Sequence, residues 1–191
     1  MAWRTAAAVL ILALGACTPT NIEKPPPFDP AAYPAIRLAV GSVEVANAAQ
    51  YPASMGFIAR RRSELLAQDA MNFLNARVVG VGGSDFAKAT VEEASIVEQP
   101  RPTGEGVIAE ATQPNWEMVG ILGLKVAIID GLGIEQGFAT SRVEIKRTLS
   151  QRAGVEAKDD FARQLINDLI AASSTELEES INQNLADRKA P

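Results

Sequence analysis

Apolar and polar positions fall into stretches of two distinct periods, and these stretches divide the chain. Ile36-Arg37-Leu38-Ala39-Val40 and Val43-Glu44-Val45 alternate, which predicts a first strand with Gly41-Ser42 as a bulge inside it. Tyr51-Pro52 breaks the pattern. From Arg60 to Arg77 the spacing becomes helical: Leu66, Ala70, Phe73 and Leu74 share a face, and Arg61, Arg62, Glu64 and Asp69 are assigned to the rest of the wheel. This helix is expected to stop before Gly80-Val81-Gly82-Gly83, with glycine as its terminator.

Alternation returns from Phe86 to Glu98, but with a change of parity. Ala87, Ala89 and Val91 lie on one face, whereas Ala94 and Ile96 take the other parity. A strand cannot change its buried face without an extra residue, so a bulge is predicted at Glu92-Glu93. Gln99 to Asn115 reads as a long loop, punctuated by Pro100, Pro102, Gly104, Gly106 and Pro114. Trp116 to Ile129 is the most apolar strand, with Met118, Leu122, Leu124, Val126 and Ile128 on one face. Asp130-Gly131-Leu132-Gly133 supplies a hairpin turn. The returning strand, Glu135 to Arg147, turns Ala139, Ser141, Val143 and Ile145 inward and Thr140, Arg142, Glu144 and Lys146 to water.

A helical pattern then runs from Glu156 towards Asp187, with Phe161, Leu165, Leu169 and Ala172 in one stripe, continued by Leu177, Ile181 and Leu185. Ser173-Ser174-Thr175-Glu176 has the form of a capping box that would split this helix. Unbroken, ~32 residues at ~1.5 Å each would reach ~48 Å and project past the sheet beyond Leu177. The order β-α-β-β-β-α implies an α/β (α+β) two-layer sandwich: a four-stranded, mostly antiparallel sheet covered by two helices. The first two strands flank a helix and are candidates for parallel pairing.

The N-terminal segment has a different character. Arg4 precedes an unbroken apolar run, Ala6 to Leu14, too short to span a bilayer but suited to the apolar region of a signal peptide. Leu14-Gly15-Ala16-Cys17 follows and resembles the lipobox of bacterial lipoproteins. That resemblance implies that residues 1–16 are removed and that Cys17 carries the lipid. Several acyl chains at ~0.8 kcal/mol per buried CH₂ anchor firmly where one would not. Prolines at 19, 25, 26, 27, 30 and 34 make 17–34 a candidate extended tether, leaving 35–191 as a single domain. Thr18, not aspartate, follows the cysteine. By analogy with enteric sorting this implies the periplasmic face of the outer membrane rather than inner-membrane retention.

Composition narrows the chemistry. The 191 residues include no histidine and one cysteine, which excludes histidine-based triads, histidine zinc sites, intramolecular disulfides and CxxC sites. A formal net charge of −5 argues against broad binding to nucleic acid. No serine, lysine or carboxylate occupies a recognised catalytic motif. Gly80-Val81-Gly82-Gly83-Ser84 follows a helix and lacks GK[ST], so it is not read as a phosphate loop. Glu92-Glu93 reads as a solvated pair beside the bulge, and Asp159-Asp160 as first-turn acids favoured by the helix dipole.

Two features remain as candidate partner contacts. Arg60-Arg61-Arg62 could meet lipid phosphate or an anionic partner, or could simply solvate a helix start. Trp116, the tryptophan left after processing, is a contact anchor if exposed and a cap on the sheet if buried.

The layout resembles small bacterial envelope lipoproteins, especially the outer-membrane lipopolysaccharide-assembly lipoprotein and the auxiliary lipoproteins of lipid-transporting ABC systems. The stretches Gly83-Ser84-Asp85-Phe86-Ala87-Lys88-Ala89-Thr90-Val91-Glu92-Glu93-Ala94-Ser95-Ile96-Val97-Glu98 and Gly137-Phe138-Ala139-Thr140-Ser141-Arg142-Val143 resemble lipoproteins of α-proteobacteria. The resemblance implies a non-enzymatic, palmitate-bearing accessory or assembly factor of an envelope complex. It would have no cofactor, no metal and no nucleic-acid partner. Its partners would be the membrane and an envelope protein, reached through a sheet edge, the long loop or the projecting helix. A lipid or lipopolysaccharide transport auxiliary is the alternative.

Overall fold

The computed structural model describes residues 24–100, 116–149 and 153–190. Cys17 with its lipobox, and residues 101–115 of the expected long loop, lie outside them. The elements are β1 (Ile36–Leu38), β2 (Ser42–Asn47), α1 (Phe57–Arg77), β3 (Val78–Gly80), β4 (Phe86–Pro100), β5 (Trp116–Ile129), β6 (Glu135–Leu149) and α2 (Val155–Asn184). The main sheet has the order β2-β4-β5-β6, with β2 parallel to β4 and the other pairs antiparallel. This is the expected α+β arrangement of a four-stranded sheet with two packed helices.

The first strand does not continue through a bulge as expected. It breaks at Ala39–Gly41, and its two halves join different sheets. β1 pairs in parallel with β3, Ile36 opposite Val78 and Leu38 opposite Gly80, whereas β2 pairs with β4. The break lets two backbone segments cross in contact. A Cβ on Gly80 would lie 2.7 Å from the Val40 carbonyl oxygen, and one on Gly41 2.7 Å from that of Gly83. Gly83 itself holds φ +142° against the Ala39 carbonyl, a conformation few side chains tolerate. The glycine run therefore serves this crossing and not the helix end. α1 stops at Arg77, is capped by Val78 and passes straight into β3.

The parity change in β4 is a bulge, as expected. Val91 faces Leu124 and Glu93 faces Gly123, so Glu92 is the extra residue. Ala87, Ala89 and Val91 before it, and Ala94 and Ile96 after it, are all buried on the helix side. A second irregularity near Ile128 leaves Gln136 without a partner in β6. At the hairpin, the Asp130 carboxylate accepts hydrogen bonds from the Leu132 and Ile134 amides, and Gly133 takes φ +83°.

α2 is one unbroken helix of 30 residues. Ser173 and Ser174, read as a capping box, are buried within it. Its C-terminal half does not project: Leu177, Ile181 and Leu185 are buried. The reason is strand length. Fifteen residues of β6 at ~3.3 Å span ~50 Å, enough to support a helix of ~45 Å. The buried stripe is Ala162, Leu165, Ile166, Leu169, Ile170, Leu177 and Ile181, one position round from the expected Phe161 and Ala172, which are half-buried.

Residues 24–34 lie on the helices. Asn167 Nδ2 donates to the Pro26 carbonyl at 3.1 Å, Asp29 caps a short 3-10 turn at Pro30–Ala32, and Tyr33 packs edge-on to Phe73. Phe28 and Tyr33 both contact the core.

Candidate functional site

The N-termini of α1 and α2 meet at the end of the sheet where β4 finishes. Gly56 and Gly154 are their N-caps and offer no side-chain acceptor to the first-turn amides. The buried face of α1 begins only at Arg62 and Ser63, so the residues before it stand clear of the core. Phe57 is 79% exposed, Ile58 55% and Val155 72%. They border a cleft of about 570 Å³ between the helices, with Leu65 and Ala162 deeper in it and Arg61, Arg62, Glu64, Asp159 and Arg163 around them. A contiguous cleft of about 770 Å³ on the other side of Phe57 reaches Ile96, Glu98 and Lys158.

The three arginines at the start of α1 do not share one fate. Arg61 is exposed, and Arg60 is half-buried against the Tyr51 ring, 5.8 Å from its centroid. Arg62, expected in solvent, is buried. Its guanidinium donates to Glu98 Oε1 at 2.5 Å and to Asp159 Oδ1 at 2.8 Å, while Lys158 Nζ reaches Glu98 Oε2 at 2.8 Å. Four charges thus tie α1, β4 and α2 together. Burial opposes the Arg62 charge, but the hydrogen bonds to Asp159 and Glu98 outweigh it and raise its basicity. Burial would also raise the Glu98 carboxyl; the hydrogen bonds from Lys158 and Arg62 outweigh that and hold it below its usual range. Asp159, read from the sequence as a dipole-favoured acid, is a member of this network.

Trp116 is half-buried at the same end of the sheet, paired with Pro100 and Leu149. It shares parity with Met118, so its ring belongs to the helix side, in the manner of a partial cap. Glu93 is not a free member of an acid pair: its carboxylate receives Arg142 Nε at 2.9 Å.

Two further arrangements were not anticipated. Arg77 is 2% exposed, donates to the Pro34 carbonyl at 3.0 Å and to Glu178 at 2.5 Å, and lies over the Phe73 and Tyr33 rings. It clasps the N-terminal segment to both helices. The helices also seal strand edges. Ser63 Oγ accepts the Ile96 amide at 2.9 Å, where β4 runs on beyond β2, and Ser180 Oγ accepts the Thr140 amide of β6 at 3.0 Å.

Among the described residues there is no group of three or more acidic or thiol side chains placed to hold a metal, and no helix is long and apolar enough to cross a membrane. No family model and no curated protein matches the chain. Solved structures of low similarity include the minor lipoprotein from Acinetobacter baumannii, 16% identical, covering 81% of this chain and 98% of that one, with a TM-score of 0.39. The rare lipoprotein B from Shewanella oneidensis is 12% identical, covering 75% of this chain and 95% of that one at a TM-score of 0.42. The uncharacterized lipoprotein B from Nitrosomonas europaea is 16% identical, covering 75% and 90% at 0.34.

Proposed function

We propose that this chain is a non-enzymatic lipoprotein, anchored through Cys17 to the outer membrane on its periplasmic face. There it serves as an accessory or assembly factor of an envelope complex. The observation that carries this reading is Leu14-Gly15-Ala16-Cys17, placed directly after a short apolar run and before a proline-rich segment. The anchor confines the domain to a thin layer at the membrane and so raises its effective concentration for membrane partners. The apolar cleft beside Phe57 and Val155 gives the alternative, lipid carriage, some support, but it is an open groove rather than an enclosed cavity.

Cys17→Ser tests the anchor. The substituted chain should lose palmitate labelling and move from the membrane to the soluble fraction. Unchanged fractionation would refute the assignment. Photo-cross-linking from Leu132, exposed on the hairpin between β5 and β6, should then capture a defined envelope protein, whereas capture of labelled lipopolysaccharide alone would favour lipid carriage.

A further inference from the structure

We infer that the helix-N-terminal end of the domain rests on the lipid surface itself, with Phe57, Ile58 and Val155 entering the boundary between headgroups and acyl chains. This rests on the lipid anchor at Cys17 proposed above. The course of the N-terminal segment carries the argument. Tyr33 and Pro34 border the same groove as Ser174 and Glu178, Pro26 is bonded to Asn167, and Lys24 lies in the cleft lined by Glu156 and Asp160. From residue 34 back to 24 the chain therefore runs along α2 towards that helix's N-terminus, and it leaves the domain there.

Only residues 17–23 separate that exit from the lipidated cysteine, and seven residues cannot span more than about 25 Å. The rest of the expected tether is laid down on the helices. The end reached by this short leash is the one that exposes Phe57, Ile58 and Val155. The opposite end, at the Asp130–Gly133 turn, lies a further ~45 Å away along β5. Charge does not select the contact. Lys24 lines one cleft with Glu156 and Asp160, and Arg61 lines the next with Glu64, so the charges at this end are mixed in sign, apolar burial is the driving term and anionic lipid is not required.

The test uses the full lipidated protein, reconstituted into phosphatidylethanolamine–phosphatidylglycerol vesicles with or without brominated acyl chains. In a Trp116→Phe background, Phe57→Trp and, separately, Val155→Trp place one reporter at this end, and Leu132→Trp places one at the far turn. Bromolipid should quench the reporters at 57 and 155 by about twofold or more and leave that at 132 unchanged. Flotation of the same vesicles reads the anchor independently. A chain that floats with an unquenched reporter at 57 overturns the docking and leaves the anchor standing. A chain that does not float overturns both. A reporter at 57 shielded from acrylamide but not quenched by bromolipid places a protein or a second copy there, and overturns the lipid contact.

Discussion

Replacing Arg62 by alanine separates a structural ion network from a solvated basic run. Arg62 exposes 9% of its side chain, Glu98 21% and Asp159 53%. Breaking a fully buried pair costs ~3–5 kcal/mol, but Asp159 returns to water and Glu98 keeps Lys158. The Glu98 bond is then worth ~1.5–2.5 kcal/mol as a charge-assisted contact, and the half-exposed Asp159 bond ~0.5. The expected loss is about 2–3 kcal/mol, a Tm lowered by ~5–10 °C for a domain of this size. Urea denaturation of the fragment from residue 24, followed by circular dichroism, measures it. Arg61→Ala should stay within ~0.5 kcal/mol of wild type. As pH falls through the lowered Glu98 value, the charge-assisted part of the Arg62 penalty that Glu98 carries should fade. Equal stability of Arg62→Ala and Arg61→Ala at neutral pH would refute the network. A penalty undiminished across the pH range in which Glu98 titrates would assign the effect to the packing of the arginine stem.

Other substitutions probe the remaining arrangements. Gly80→Ala should cost ~2 kcal/mol or more by denaturation, because its Cβ meets backbone, whereas Gly131→Ala, with open space around it, should cost under ~0.5. Ser63→Ala should cost ~1–3 kcal/mol and accelerate hydrogen exchange at Ile96, since a buried amide loses its acceptor. Glu98 is held below its usual carboxyl range in the fold, so its stabilisation is complete above the unfolded value of ~4.3 and is lost as pH falls through the folded one. Glu98→Gln should therefore flatten the acid limb of the stability profile, and an unchanged limb would show that Glu98 titrates as it does in the unfolded chain.

Strand and helix positions were legible wherever one face is dry. The parity change around Glu92 gave away the bulge, because only an extra residue reconciles Val91 and Ala94 on one buried face. The period of α1 also carries the fate of Arg62 and Arg77. Arg62 stands four residues before Leu66 and Arg77 four after Phe73, so both arginines extend the buried stripe of α1 at its two ends. Treating a charged residue as solvent-facing overrode the period that places it. The split of the first strand was not legible, because it depends on Gly41, Gly80 and Gly83 meeting across a long sequence separation, and glycine spacing carries no record of its partner. Likewise α2 looked too long for its sheet only because strand lengths were judged from alternation, which stops short of the full β6.

The distribution of exposed apolar side chains limits how such a domain can touch anything. β6, the outer strand beside α2, has the Thr140 amide closed off by Ser180, and β4 beyond β2 has the Ile96 amide taken by Ser63, so adding a strand at either place would first break a hydrogen bond. On the sheet face away from the helices, Val119 and Ala127 are buried, and Phe138, 49% exposed with Lys125 Nζ 4.7 Å from its ring centroid, stands towards the hairpin end of β6. Among the described residues, what remains is concentrated at the two ends: Phe57, Ile58 and Val155 beside the helix starts, and Leu132, Ile134 and Phe138 on and beside the hairpin, with Val79 and Val81 near the adjoining β3–β4 turn. Apolar contact carries most binding free energy, whereas exposed charge adds little. A domain built this way makes its strongest contacts end-on. On the proposed anchoring through Cys17, the end left to reach a protein is the hairpin, and a contact there would be made ~45 Å from the membrane-facing surface.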